Sequence, residues 1–159
     1  MSLISNVILI FLYLTLFWIV IYDSWVLNFT YELSKKKCDE SINCGISQGE
    51  IRTLQTFCII SICISIGSLG FLFGGGKATI FSNPNYLFVI LGLQIGVIGY
   101  TKYVIDKHKV TTDECPINQN FLGFDLNLTH ITNGTLWFVS IIAAIFVLVV
   151  SFSKFKVKK

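Results

Sequence analysis

Four long apolar stretches dominate this chain and constrain its fold more than any other feature. They cover about residues 3–22, 54–73, 86–104 and 136–152. Each is close to the ~20 apolar residues that a helix needs to cross the hydrocarbon core of a bilayer. Because lipid offers an exposed backbone no hydrogen-bonding partner, each stretch is predicted to be a helix rather than a strand. Residues 1–159 therefore predict an all-α integral membrane protein, built as a single four-span domain.

Composition supports the same class. Only 13% of the 159 residues are charged, about half the ~25% that is usual in soluble domains. A secretory signal peptide is the alternative interpretation of the first stretch. No basic segment precedes it and no small-x-small cleavage site stands before Asp23, so a retained helix is favoured.

The acidic residues divide the chain into two faces. All nine lie in residues 23–53 and 105–135, between the first and second spans and between the third and fourth. The connection 74–85 is short and rich in glycine and asparagine, which is typical of a turn between two adjacent helices. We therefore predict an antiparallel up-down-up-down bundle with two longer loops, 23–53 and 105–135, on one face.

Two charge patterns give opposite orientations for that face. The count of lysine and arginine slightly favours cytosolic loops. The opposite face has no acid and ends in a lysine-rich tail, which suits contact with anionic cytoplasmic lipid. The residues predicted to anchor the tail at the membrane surface are Lys154, Lys156, Lys158 and Lys159.

Sequons and cysteines favour loops outside the cytosol. Asn28, Asn127 and Asn133 each begin an Asn-x-Thr sequence on the loop side, and Asn127 is the best glycosylation candidate because the other two lie close to the membrane. The loops also hold three cysteines. Either the first two close a small ring or one of them joins the third, and both pairings need an oxidising compartment. Three free thiols on a cytosolic face are the alternative. These cysteines are Cys38, Cys44 and Cys115.

Small residues recur at helical spacing on the second and third spans. Such stripes let helices approach closely in a membrane, so we predict packing within the bundle, with a homodimer as the alternative. The residues predicted to pack are Ser61, Ser65, Gly67, Gly70, Gly92, Gly96 and Gly99.

The spans, as bounded above, contain almost nothing that carries chemistry. They have no Asp, Glu, Arg or His, and their one lysine, Lys102, lies near the end of the third span. Ionisable groups in a membrane mark ion paths and substrate sites, so a pump or charged-solute transporter is disfavoured. Gln94 is expected to make an interhelical hydrogen bond. The histidines lack a ligand cluster and no phosphate-binding loop is present. We expect no catalysis, cofactor, metal or nucleic-acid partner.

Two functions fit these observations. The first is a structural or assembly protein of the lipid bilayer that docks other membrane or capsid-type proteins through its two loops, as part of a larger assembly. The excess of lysine over arginine, with abundant isoleucine and phenylalanine, is typical of an AT-rich genome. Many protists and large DNA viruses have such genomes, and for a large DNA virus the expected location is an internal virion membrane or host endomembrane.

The second is an accessory or adhesion tetraspan of the plasma membrane, with disulfide-braced, glycosylated extracellular loops. The general plan resembles the claudin and myelin-protein group of small tetraspan proteins. The Gly-Leu-Trp signature and paired cysteines of that group's first loop are absent here, so the resemblance is limited to the plan.

Overall fold

The computed structural model describes residues 3–35, 46–75, 84–109 and 128–157, with side chains in 6–34, 46–75, 85–107 and 128–149. These ranges form four helices: α1 (Leu3–Lys35), α2 (Gln48–Phe73), α3 (Pro84–Lys109) and α4 (Leu128–Val157). The described ranges contain no strand. By length and composition all four helices are able to cross a membrane, over Asn6–Ser34, Gln48–Phe73, Asn85–Lys107 and Leu128–Val149. The predicted all-helical class with four candidate spans is confirmed.

The helices are longer than their apolar stretches. α1 ends at Lys35, α2 begins at Gln48, α3 ends at Lys109, and α4 begins at Leu128. The predicted loops, 23–53 and 105–135, are therefore too long, because helix occupies both ends of each. Hydropathy marks where apolar residues stop. These helices extend beyond that point, because internal backbone hydrogen bonds do not require apolar side chains.

A capping box starts α2 before its apolar stretch. The Ser47 hydroxyl oxygen accepts a hydrogen bond of 3.2 Å from the Glu50 backbone N–H. The Glu50 carboxylate accepts one of 2.8 Å from the Ser47 backbone N–H. This reciprocal pair satisfies two donors that have no partner within the helix. The Ser-x-x-Glu sequence therefore indicates the helix start better than hydropathy does.

The four helices pack in sequence around one core. α1 packs mainly against α2, α2 against α3, and α3 against α4, whereas the contact between α1 and α4 is less extensive. Side chains such as Leu16, Leu54 and Ile98 are fully buried between them. Large apolar side chains also cover the outside, including Val89 at 68% and Trp137 at 72% exposure. An outer surface this apolar suits lipid, and the four apolar helices indicate a multi-pass membrane protein.

Candidate functional site in the bundle interior

Asp23 lies inside α1 and is completely buried. The predicted span 3–22 ends just before this residue, whereas α1 continues through it and the candidate span Asn6–Ser34 includes it. The buried face of α1 continues beyond it with Val26, Phe29 and Leu33. These residues follow at the three- to four-residue spacing of one helix face. The sequence shows this spacing, but a predicted span that ends before Asp23 leaves the later apolar residues of the same helix face unassigned.

Asp23 belongs to a hydrogen-bonded cluster that joins three helices. The Ser61 hydroxyl of α2 contacts both the Asp23 carboxyl group and the side-chain oxygen of Gln94 on α3, the latter at 2.6 Å. The Gln94 amide nitrogen donates to the Ser65 hydroxyl at 3.1 Å and lies 3.5 Å from the Ser61 backbone oxygen. All four side chains are fully buried. We call Asp23, Ser61, Ser65 and Gln94 the Asp23 cluster.

Helical spacing explains how α2 supplies its part of the cluster. Ser61 and Ser65 are four residues apart, so they lie one above the other on the same face. Their side chains are short, which leaves room for the longer side chain of Gln94 to reach both hydroxyls. The expected interhelical hydrogen bond of Gln94 is present, and it is part of a larger network.

A second set of polar contacts closes the seam between α1 and α4. The Tyr22 hydroxyl donates to the Thr132 hydroxyl oxygen at 3.0 Å. One turn earlier on α1, the Trp18 ring nitrogen donates to the Thr135 hydroxyl oxygen at 3.1 Å. Thr101 of α3 also lies beside the Tyr22 hydroxyl. Polar side chains from all four helices therefore meet near the level of Asp23.

One atom of the cluster lacks a partner. Within the described part of the chain, the buried Asp23 Oδ1 accepts no hydrogen bond. The titratable groups beside this carboxyl are the Tyr22 hydroxyl and the buried thiol of Cys58. Neither group is a cation. The cluster is thus a carboxyl group enclosed by neutral hydroxyl, amide and thiol groups, an arrangement suited to holding or exchanging a proton.

The serines and glycines predicted to pack lie on opposite sides of their helices. Ser61 and Ser65 are buried, whereas Gly67, Gly70, Gly92 and Gly96 are exposed and Gly99 is half-buried. A Cβ atom placed on any of these five glycines would meet nothing within 4 Å. Among the described residues, then, the glycines do not let two helices of this chain approach. On α2 and α3 these glycine positions lie on the opposite side of the helix from the face that carries the Asp23 cluster.

The other predicted sites fall outside the cluster. Asn28 lies in α1, and Asn133, Lys154 and Lys156 lie in α4. Their predicted roles remain predictions. The remaining residues, Cys38, Cys44, Cys115, Asn127, Lys158 and Lys159, lie outside the described residues. In the ranges that the structure covers, no group of three or more His, Cys, Asp or Glu side chains is placed to hold a metal ion.

Comparison with known proteins adds no relative: no protein-family model, curated protein or solved structure matches this chain. Function is therefore inferred from the residues and contacts of the chain itself.

Proposed function

We propose that this protein is a non-enzymatic, multi-span membrane protein that joins a larger assembly by docking partners on its two acidic loops. These loops are predicted at 23–53 and 105–135, and residues 36–47 and 110–127 of them lie between the helices. The expected partners are the surrounding lipid bilayer and other membrane or capsid-type proteins. The observation that carries this proposal is an ion pair between Glu50 and Lys107.

The ion pair supports the placement of both loops at one end of the bundle. The Lys107 ammonium group donates to the two Glu50 carboxylate oxygens at 2.8 and 3.1 Å. Glu50 is the third residue of α2 and follows the first loop, whereas Lys107 is third from the end of α3 and precedes the second. Two side chains in direct contact require these helix ends to be neighbours.

Other contacts support the antiparallel up-down-up-down arrangement. Tyr13 of α1 lies 4.9 Å, between ring centroids, from Phe73 at the end of α2. Further along α1, Asp23 meets the earlier residue Ser61. Rising numbers on α1 therefore correspond to falling numbers on α2. The two hydrogen bonds between α1 and α4 follow the same order.

The distribution of polar groups supports docking rather than catalysis. The loop segments hold five of the nine acidic residues, whereas large apolar side chains cover the outside of the helices. The Asp23 cluster is fully buried, so a substrate would reach it only if helices separated. Specific polar recognition is thus best supplied by the loop end. The accompanying location is an internal virion membrane or host endomembrane.

The alternative, a plasma-membrane tetraspan with glycosylated and disulfide-braced loops, is favoured by the sequons and loop cysteines. Asn28 contributes little to it, because Phe29 and Thr30 of its sequon are buried within α1. The alternative therefore depends on Asn127 and on pairing among the loop cysteines. Glycosidase treatment that lowers the mass of the wild-type protein, but not of Asn127→Gln, would favour this second function.

Site-directed photo-crosslinking in the native membrane tests the docking function. A photoreactive residue replaces Ser41 in the first loop or Asn118 in the second, and the matched control replaces the lipid-facing Val89 of α3. We expect protein adducts from both loop positions and only lipid adducts from the control. Protein adducts from Val89 alone, or from none of the three positions, would contradict docking through the loops.

A further inference from the structure

The Asp23 cluster places one hydroxyl group between two oxygen atoms. Ser61 Oγ contacts the Asp23 carboxyl oxygen Oδ2 on one side and Gln94 Oε1, at 2.6 Å, on the other. A serine hydroxyl has a single hydrogen, so it donates to only one neighbour. Oxygens at hydrogen-bonding distance need a hydrogen between them. The second contact therefore requires a hydrogen from another group.

In the amide orientation found here, Gln94 does not supply that hydrogen. Its amide nitrogen faces Ser65 Oγ and the Ser61 backbone oxygen, and its Oε1 is an acceptor only. Ser61 accordingly donates to Gln94, and the contact with Asp23 needs a carboxylic acid donor. We infer that the Asp23 cluster is an intramembrane proton-binding site, in which Asp23 carries a proton on Oδ2 and donates it to Ser61.

The surroundings of the carboxyl group support a neutral acid. Asp23 is fully buried, and its Oδ1 accepts no hydrogen bond from the described residues. An unfilled acceptor on a neutral acid costs much less than an unpaired carboxylate charge in a bundle interior. The groups that face this carboxyl are Tyr22 from its own helix, Cys58 and Ser61 from α2, and, through Ser61, Gln94 from α3. From α4, the Thr132 hydroxyl oxygen accepts a hydrogen bond from the Tyr22 hydroxyl.

Releasing the proton requires a different hydrogen-bond arrangement. With the Gln94 amide turned over, its nitrogen would donate to Ser61 Oγ and Ser61 would donate to an ionised Asp23. The Gln94 oxygen would then face the Ser61 backbone oxygen across 3.5 Å, which places two acceptors together. The carboxylate would keep its unpaired Oδ1. The two arrangements differ by one proton, so proton release from α1 is coupled to rotation of an amide on α3.

Infrared spectroscopy of the purified full-length protein in lipid vesicles tests the site directly. At pH 7 we expect a carbonyl band of a protonated carboxylic acid, which shifts when aspartate is labelled with ¹³C at its carboxyl carbon. Asp23→Asn removes the band. The matched control, Asp106→Asn, leaves it unchanged, since Asp106 is half-exposed and paired with Lys102 at 3.0 Å. A wild-type spectrum without a labelled acid band, or a band that remains in Asp23→Asn, overturns the proposal.

Thermal unfolding over a pH series gives a second test. The folded protein binds one proton more than the unfolded chain, whose aspartates ionise near pH ~4. Stability therefore falls as the pH rises above about 4, over the range in which the folded protein keeps this proton. We expect the slope in Asp106→Asn to equal that of the wild type, and the slope in Asp23→Asn to be smaller. Equal slopes in all three proteins overturn the inference. If Asp23→Asn does not fold, the labelled wild-type spectrum decides alone.

Discussion

The carboxyl group of Asp23 on α1 contacts the hydroxyl group of Ser61 on α2, and both side chains are fully buried. Through that hydroxyl the carboxyl is linked to Gln94 on α3. A single small side chain thus connects three helices. Because all three side chains are fully buried, a hydrogen-bonding group lost here is costly to leave unreplaced.

Replacing Ser61 by alanine should destabilise the bundle. The change removes the hydroxyl that contacts the buried Asp23 carboxyl and the Gln94 side-chain oxygen, so we expect a loss of about 1–3 kcal/mol in the free energy of unfolding. Ser24→Ala is the matched control, since the exposed Ser24 hydroxyl bonds only to the Val20 backbone oxygen of its own helix. Circular dichroism recorded over increasing concentrations of a denaturing detergent measures the free energy of unfolding of both variants. Equal losses in the free energy of unfolding of Ser61→Ala and Ser24→Ala would show that the Asp23 cluster stabilises the bundle no more than an exposed serine does.

The start of α2 should depend on Ser47. Its hydroxyl oxygen accepts from the Glu50 backbone N–H, and replacing an N-cap serine by alanine costs about 1 kcal/mol. Ser47→Gly should cost only a few tenths of a kcal/mol, roughly, because glycine leaves the cap open to water. The same unfolding measurement ranks the variants. A larger loss for glycine than for alanine would contradict capping by the side chain.

Replacement by alanine should change the stability of the protein in opposite directions at two glycines. Gly96 is exposed and a Cβ there meets nothing within 4 Å, so Gly96→Ala should be neutral or stabilise α3 by up to about 1 kcal/mol. Gly75, just beyond α2, has a φ of 102°, which L-residues seldom adopt. Gly75→Ala should therefore destabilise by about 1 kcal/mol. Loss of stability in Gly96→Ala would indicate that a second copy or another protein packs on this face.

The two cysteines of α2 should differ in reactivity. Cys58 is buried and Cys63 is exposed on the outer surface. With Cys38, Cys44 and Cys115 replaced by serine, we expect a lipid-soluble maleimide to label Cys63 in the native protein. Cys58 should react only after denaturation. Mass spectrometry of the labelled peptides reports both sites, and similar native rates would mean that α2 faces its neighbours differently.

Part of this structure was accessible from local sequence. The apolar stretches predict four helices because lipid permits little else for runs of that length. The Ser47–Glu50 pair indicates the start of α2, since a capping box depends on residues only three positions apart. The end of an apolar stretch does not mark the end of its helix, since α1 continues through Asp23 to Lys35. Hydropathy alone assigns Asp23 to a loop, whereas the structure buries it in the bundle.

By itself, the sequence determined that the chain forms four long apolar helices and that its acids cluster beside the connections between them. Only the tertiary structure decided which polar residues meet. Ser61 is 38 positions from Asp23 and 33 from Gln94, and the rotation of each helix about its axis selects these partners. The same rotation turns Ser61 inward and Gly67 outward on one helix. Periodicity places residues on common faces, but the packing of neighbouring helices decides which face is buried.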